Sequence, residues 1–86
     1  MDTSFALYLI LDSELAAERL LDTFLADCPP PDQRGTAKAS VYSFDFGGDK
    51  KWDIQVAWDS EDEVGREFGL AIENAAHRLC LYRLIS

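Results

Sequence analysis

Cysteine and histidine are scarce in this 86-residue chain. Cys28 and Cys80 are its two cysteines, and they form no CxxC motif and no cluster with histidine. Small secreted domains that depend on disulfides carry more cysteines than this, so we expect reduced, buried or half-buried thiols and a cytoplasmic protein. The single histidine, His77, follows Glu73 by four residues, the spacing of a solvent-exposed pair on a helix.

The motifs of common catalytic and cofactor sites are also missing. The sequence contains no GxSxG, no HExxH and no glycine-rich phosphate loop. The densest acidic run, Asp59–Glu63, suits the first turn of a helix and lacks the spacing of a calcium loop. We therefore predict a protein that is not an enzyme and that holds no metal and no cofactor.

Positive charge and long apolar runs are in short supply as well. Eight Lys and Arg residues stand against 16 Asp and Glu, which gives a net charge of −8 and a pI near 4.3. A field of that sign repels nucleic-acid phosphate and anionic lipid and favours basic partners. The apolar run Phe5–Leu11 is far shorter than the ~20 residues that span a bilayer, and no basic segment precedes it. We expect neither direct nucleic-acid binding nor membrane insertion.

The chain does have the composition to fill a core. Hydrophobic residues make up 48% of it, and they include five Phe, three Tyr and two Trp, which each bury a large area. Disordered chains are poor in such residues. We therefore predict a single folded domain over residues 1–86.

The first half of the chain predicts a strand followed by a helix. Phe5–Leu11 is apolar throughout, which is typical of a strand with both faces covered, near residues 4–11. From Ser13, a suitable N-cap, apolar residues recur every three or four positions and predict a helix near 13–28. That helix must stop before the prolines at 29–31.

The second half predicts a β-hairpin. Two alternating runs flank the turn sequence Gly47-Gly48 and indicate strands near 40–47 and 51–58. We expect the apolar members of both strands to face the helices: Tyr42, Phe44, Phe46, Trp52, Ile54, Val56 and Trp58.

A second helix follows the hairpin. The capping box from Ser60 to Glu63 predicts that it covers residues near 61–78. Two glycines inside it, Gly65 and Gly69, suggest a close approach of its backbone to the sheet, since each costs about 1 kcal/mol of helix stability. The run at 79–85 either forms a fourth strand or extends the helix, because no Gly or Pro separates the two.

The predicted order, β-α-β-β-α with an optional final β, is typical of an α+β two-layer sandwich. The ferredoxin-like βαββα(β) arrangement, an antiparallel sheet with two helices on one face, is the natural candidate. Its first and third strands are central, which agrees with the apolar first strand. The core residues we predict lie on the apolar faces of four elements: Phe24, Phe44, Ile54, Val56 and Phe68.

Carboxylates on the hairpin form the predicted contact surface. The alternation turns three aspartates toward the open face of the sheet, and two acids after the hairpin extend this surface: Asp45, Asp53, Asp59, Glu61 and Asp62. Aspartate is disfavoured in strands, so three on one face suggest a binding role toward a basic partner. The alternative is that an open antiparallel face simply needs polar residues.

The sequence thus predicts a non-enzymatic, acidic protein-binding module, an inhibitor that occupies a basic, nucleic-acid-binding site on a protein partner. Phage anti-defence proteins of the anti-CRISPR kind, acting in the host cytoplasm, and other nucleic-acid mimics have this size and charge. The alternatives are a small-ligand regulatory domain, a homo-oligomeric ferredoxin-like domain such as a homodimer, a toxin-immunity protein and, ranked last, a small enzyme that uses carboxylates.

Overall fold

Strands and helices follow one another along the chain in the predicted order, β-α-β-β-α. The computed structural model describes residues 2–85, and side chains for residues 2–79. Its elements are β1 (Asp2–Ala6), α1 (Glu14–Leu25), a 3-10 turn (Pro31–Gln33), β2 (Lys38–Phe46), β3 (Asp49–Asp59) and α2 (Glu63–Ile85). The three strands form one antiparallel sheet in the order β1-β3-β2. This α+β arrangement confirms the predicted fold class, and its β-α-β-β-α order is compatible with the ferredoxin-like fold.

The start of α1 is fixed by the predicted cap. The Ser13 hydroxyl accepts a hydrogen bond from the Ala16 amide at 3.0 Å. The helix ends at Leu25, ahead of the prolines, and its buried face includes Phe24. Just beyond it, the Cys28 thiol is half-buried and donates to the Phe24 carbonyl at 3.2 Å. Burial raises the pKa of Cys28, as expected for an unreactive thiol; the side chain of Cys80 lies outside the described residues.

The core lies between the helices and one face of the sheet. Phe24, Ile54, Val56 and Phe68 are each at most 1% exposed, which confirms four of the five predicted core residues. The prediction for Phe44 is wrong, because this ring is half-buried on the opposite face of the sheet. Burying a large apolar side chain contributes roughly 1.5–3 kcal/mol, so the four confirmed residues anchor the two layers.

The strand register explains the error. Residues directly opposite in an antiparallel pair share a face, and Val41 lies opposite the buried Ile54 while Tyr42 lies opposite Asp53. The two-residue turn Gly47-Gly48, with both φ angles positive, pairs even-numbered residues of β2 with odd-numbered residues of β3. The β2 aromatics Tyr42, Phe44 and Phe46 therefore lie on the open face, whereas Asp45 is on the helix side.

The first strand is shorter than predicted and is not central. β1 ends at Ala6, and within residues 2–85 its only strand neighbour is β3. A fourth strand would have covered its outer edge, but α2 continues as helix to Ile85. The helix continues because the sequence after Ala76 contains no Gly or Pro that would end it.

The start of α2 is capped by a residue other than the predicted one. Asp62, not Ser60, precedes the first helical residue and accepts from the Gly65 and Val64 amides. The close approach of α2 to the sheet is confirmed at both glycines. A Cβ on Gly65 would lie 2.9 Å from the Cβ of Trp58, and one on Gly69 would lie 2.8 Å from its ring. Of the helices in the described residues, none has both the length and the apolar character needed to cross a membrane.

Candidate functional site

A buried aspartate lies at the centre of the open sheet face. Asp53 is 1% exposed, and its two carboxylate oxygens accept four hydrogen bonds. Oδ1 accepts from the amides of Leu9 (2.9 Å) and Ile54 (2.7 Å). Oδ2 accepts from the Tyr8 amide (3.2 Å) and the Tyr42 hydroxyl (2.6 Å). A carboxylate has about four acceptor positions, so all of those on Asp53 are occupied.

The carboxylate of Asp53 holds a bulge in the chain after β1. Ala6 lies opposite Gln55, and the next bridge joins Leu11 to Trp52. Between these two pairs the chain advances five residues on the β1 side and three residues on β3, so the β1 side has a surplus of two residues. The amides of Tyr8 and Leu9, which would otherwise be unpaired at the bulge, donate to Asp53 instead.

The bulge places Tyr8 in a strained backbone conformation. Its φ is +58°, in the left-handed region, which costs a residue with a Cβ roughly 1–2 kcal/mol. Such strain persists only where the surroundings hold it, and it is concentrated at functional sites. In this bulge Tyr8 and Ile10 are turned toward solvent and are 87% and 53% exposed.

These residues line a shallow groove, which we call the aromatic groove. It has a volume of about 380 Å³ with Asp53 at its floor, and its walls are Tyr8, Leu9, Ile10, Tyr42, Phe44 and Phe46. The three β2 rings follow one another at centroid distances of 6.1 and 6.4 Å. Phe46, at the hairpin end, is 52% exposed. The groove is an apolar surface framed by side chains from two distant segments of the chain.

The Tyr42 hydroxyl is bound to the floor of the groove. Its hydrogen bond to Asp53 is the main cause that raises the pKa of Tyr42 to about 12, and desolvation and the carboxylate charge add to it. The hydroxyl therefore stays protonated and keeps donating at physiological pH. The bond thus holds the Tyr42 ring against the floor of the groove.

The predicted acidic surface is not a continuous row. Asp53 is buried, which corrects its prediction as an exposed contact residue. Asp45 is exposed, but it lies opposite Lys50 on the helix side of the sheet, so its predicted place on the open face is wrong. Asp59 is half-buried on the open side. It lies nine positions along β3 from Lys50, the residue opposite Asp45, so the two aspartates are about 30 Å apart at ~3.3 Å per residue.

Three predicted acids do gather at the start of α2. The Asp59 carboxylate accepts from the Glu61 amide at 3.1 Å, and Glu61 itself is exposed. Oδ2 of Asp62 accepts from the amide and the hydroxyl of Thr36, at 2.6 and 2.7 Å. These bonds, with those from the first turn of α2, lower the pKa of Asp62. Asp62 therefore ties the loop before β2 to α2.

Sequence reasoning missed the aromatic groove. Its three β2 aromatics, Tyr42, Phe44 and Phe46, are predicted to face the helices, because alternating aromatics beside a helix pattern are typical of a buried face. The available signal is the two-residue turn Gly47-Gly48, which determines the residues of β2 and β3 that lie opposite one another. Among the residues whose side chains are described, no three His, Cys, Asp or Glu come close enough to hold a metal ion.

Comparisons of the chain with protein-family models, with curated proteins and with solved structures found no match.

Proposed function

We propose that this chain is a non-enzymatic protein-binding module that docks through the aromatic groove onto a basic protein. In this role it acts as an inhibitor in the cytoplasm, covering the partner's nucleic-acid-binding site. The main support for the proposal is the role of the Asp53 carboxylate in the bulge after β1. A buried carboxylate with four hydrogen bonds holds a strained bulge whose effect is to expose Tyr8 beside the β2 aromatics.

The composition of the aromatic groove supports a protein partner. Exposed apolar side chains that cluster, rather than scatter, mark interaction surfaces. Three of the most exposed large hydrophobic residues meet at this groove: Tyr8, Ile10 and Phe46. Aromatic side chains that fill a partner's pocket contribute a large share of the binding free energy at protein interfaces.

The net charge supports a basic partner. A charge of −8 accelerates association with a positive surface and disfavours acidic ones. The exposed acids Asp45 and Glu61 lie at opposite ends of the sheet, so they contribute to this field rather than to one contact patch. We therefore assign the affinity for the partner to the side chains of the aromatic groove and the rate of association to the acidic residues.

The test begins with affinity capture at low and high salt, followed by purification of the captured basic protein. Binding should weaken steeply with salt, since steering is electrostatic. The double variant Tyr8→Ser, Phe46→Ser should bind at least about tenfold more weakly, the loss of roughly 1.4 kcal/mol. It should also fail to displace nucleic acid from the partner.

Leu15→Ser is the matched control, because Leu15 is 56% exposed and lies on α1 away from the aromatic groove. It should bind as the parent does. The proposal is wrong if the groove variant keeps the parent affinity, if Leu15→Ser weakens binding equally, or if nucleic acid and the chain bind the partner together.

A further inference from the structure

The outer edge of β1 carries unpaired backbone groups. The Leu7 amide donates to the Ile54 carbonyl at 3.0 Å, so Leu7 is oriented toward β3. Hydrogen-bonding directions alternate along an antiparallel strand, so the N–H and C=O groups of Ser4 and Ala6 point away from β3. Among the described residues no strand pairs with this edge. Such an edge is a template for the addition of another strand.

A cleft lies beside the same edge, on the helix side of the sheet. It has a volume of about 350 Å³, and it is lined by β1 and the segment after it and by α2: Phe5, Ala6, Leu7, Leu9, Glu73, Ala76 and His77. In the ferredoxin-like arrangement a fourth strand lies next to the first. Here α2 continues as helix, so the position of that strand is open along β1 in the described part of the chain.

The charges around this cleft select its occupant. Glu73 and His77 are its polar lining, and among the side chains of residues 2–79 neither Lys nor Arg lines it. Phe5 and Leu7 give it an apolar floor, and the whole chain carries −8. Alternate side chains of an added strand point to opposite faces of the sheet, so a segment with apolar side chains in the cleft and basic ones on the open face complements the apolar floor and the net charge. A second copy of this chain would bring another −8 to the same edge, which disfavours self-pairing.

We propose that the outer edge of β1 accepts an extended basic segment of a partner protein as a fourth strand, with alternate apolar side chains in the cleft between β1 and α2. This is recognition by strand addition, in which backbone hydrogen bonds give affinity and alternate side chains give specificity. The cleft shares Leu9 with the aromatic groove, but its other lining residues differ, and the β2 aromatics of the groove lie on the other face of the sheet.

The probe is a blocked nine-residue peptide of alternating Val and Arg, titrated into the isotope-labelled full chain. Amide exchange of Ser4 and Ala6 should slow at least about tenfold on binding, since strand addition protects those two amides. Two further peptides carry N-methyl groups on either the odd or the even amides. One of them should bind about tenfold more weakly and the other as the parent peptide does, because one set of amides faces β1. Equal binding by both would show attraction by charge alone and would overturn the proposal.

Two variants give independent readouts. Ser4→Pro removes an outward amide at a position where an edge strand tolerates proline, so the urea midpoint should hold while peptide binding falls about tenfold. If that variant fails to fold, the two N-methylated peptides decide the question with the parent chain, since only one of them should lose affinity. Tyr8→Ser, Phe46→Ser should bind the peptide normally, which separates this proposal from that for the aromatic groove. Protection of Ser4 and Ala6 without peptide, with dimers in sedimentation, would instead identify a self-association edge and overturn the proposal.

Discussion

Replacing Asp53 by asparagine tests whether one carboxylate holds the bulge. The substitution keeps the shape and replaces one acceptor oxygen by an NH₂ donor. The two hydrogen bonds at Oδ1 would then be made to a neutral acceptor instead of a charged one, which weakens each by about 1 kcal/mol. The Tyr8 amide would lose its acceptor, which costs about 1–3 kcal/mol. Relief of the burial cost of the charge offsets part of this. We expect a net loss of about 2–4 kcal/mol in the free energy of unfolding.

The assay combines urea denaturation with amide hydrogen exchange. The parent should unfold at a higher urea concentration than Asp53→Asn, and the Tyr8 and Leu9 amides should exchange faster in the variant even well below its midpoint. Asp49→Asn is the matched control, because Asp49 is exposed on the same strand, and it should change stability by less than about 0.5 kcal/mol. If Asp53→Asn is as stable as this control and its Tyr8 and Leu9 amides stay protected, the carboxylate does not hold the bulge.

Three further predictions concern the core, the helix contact and alkaline pH. Phe68→Ala, at a side chain that is 1% exposed, should cost roughly 3–5 kcal/mol in urea melts; a parent-like midpoint would contradict its place in the core. Gly65→Ala should destabilise by about 1–2 kcal/mol despite its better helix propensity, because its Cβ would meet the Cβ of Trp58 at 2.9 Å; a stabilised variant would refute the close packing. The Tyr42 hydroxyl has a pKa raised from 10.0 to about 12, so its contribution is complete below pH 10 and is lost as the pH rises toward 12. The parent should therefore lose stability over that window more steeply than Tyr42→Phe, and equal slopes would count against the bond to Asp53.

Sequence patterns predict the helices, the strands and most of the core, because these depend on residues that are close together in the chain. The Ser13 cap, the Gly47-Gly48 turn and the spacing of Phe68 on its helix are all local features. The cap of α2 was placed two residues early because Ser60 and Asp62 are both good caps. What decides between them is Thr36, whose amide and hydroxyl bind Asp62 from 26 residues away.

The aromatic groove could not be predicted because it depends on contacts between distant residues. The bonds from Tyr8 and Leu9 to Asp53 join residues 45 and 44 positions apart. Without them the apolar run Phe5–Leu11 is typical of a central strand, and Asp53 is typical of a solvent-facing residue. The error in the faces of β2 is different, because the sequence does contain the information to avoid it. The tight turn at Gly47-Gly48 determines which residues of β2 and β3 lie opposite one another.

The bulge after β1 has a surplus of two residues, and that number is even. Side chains alternate with a period of two, so an even insertion leaves the strand in phase, and Leu11 lines a surface depression with α1 residues on the same side of the sheet as Phe5. The insertion can therefore be excised without turning the apolar residues that follow it to solvent. Asp53 would have to be replaced in the same step, since its carboxylate would otherwise be buried with too few donors. The bulge and Asp53 are thus coupled, and a variant that lacks the two extra residues needs an apolar residue at position 53.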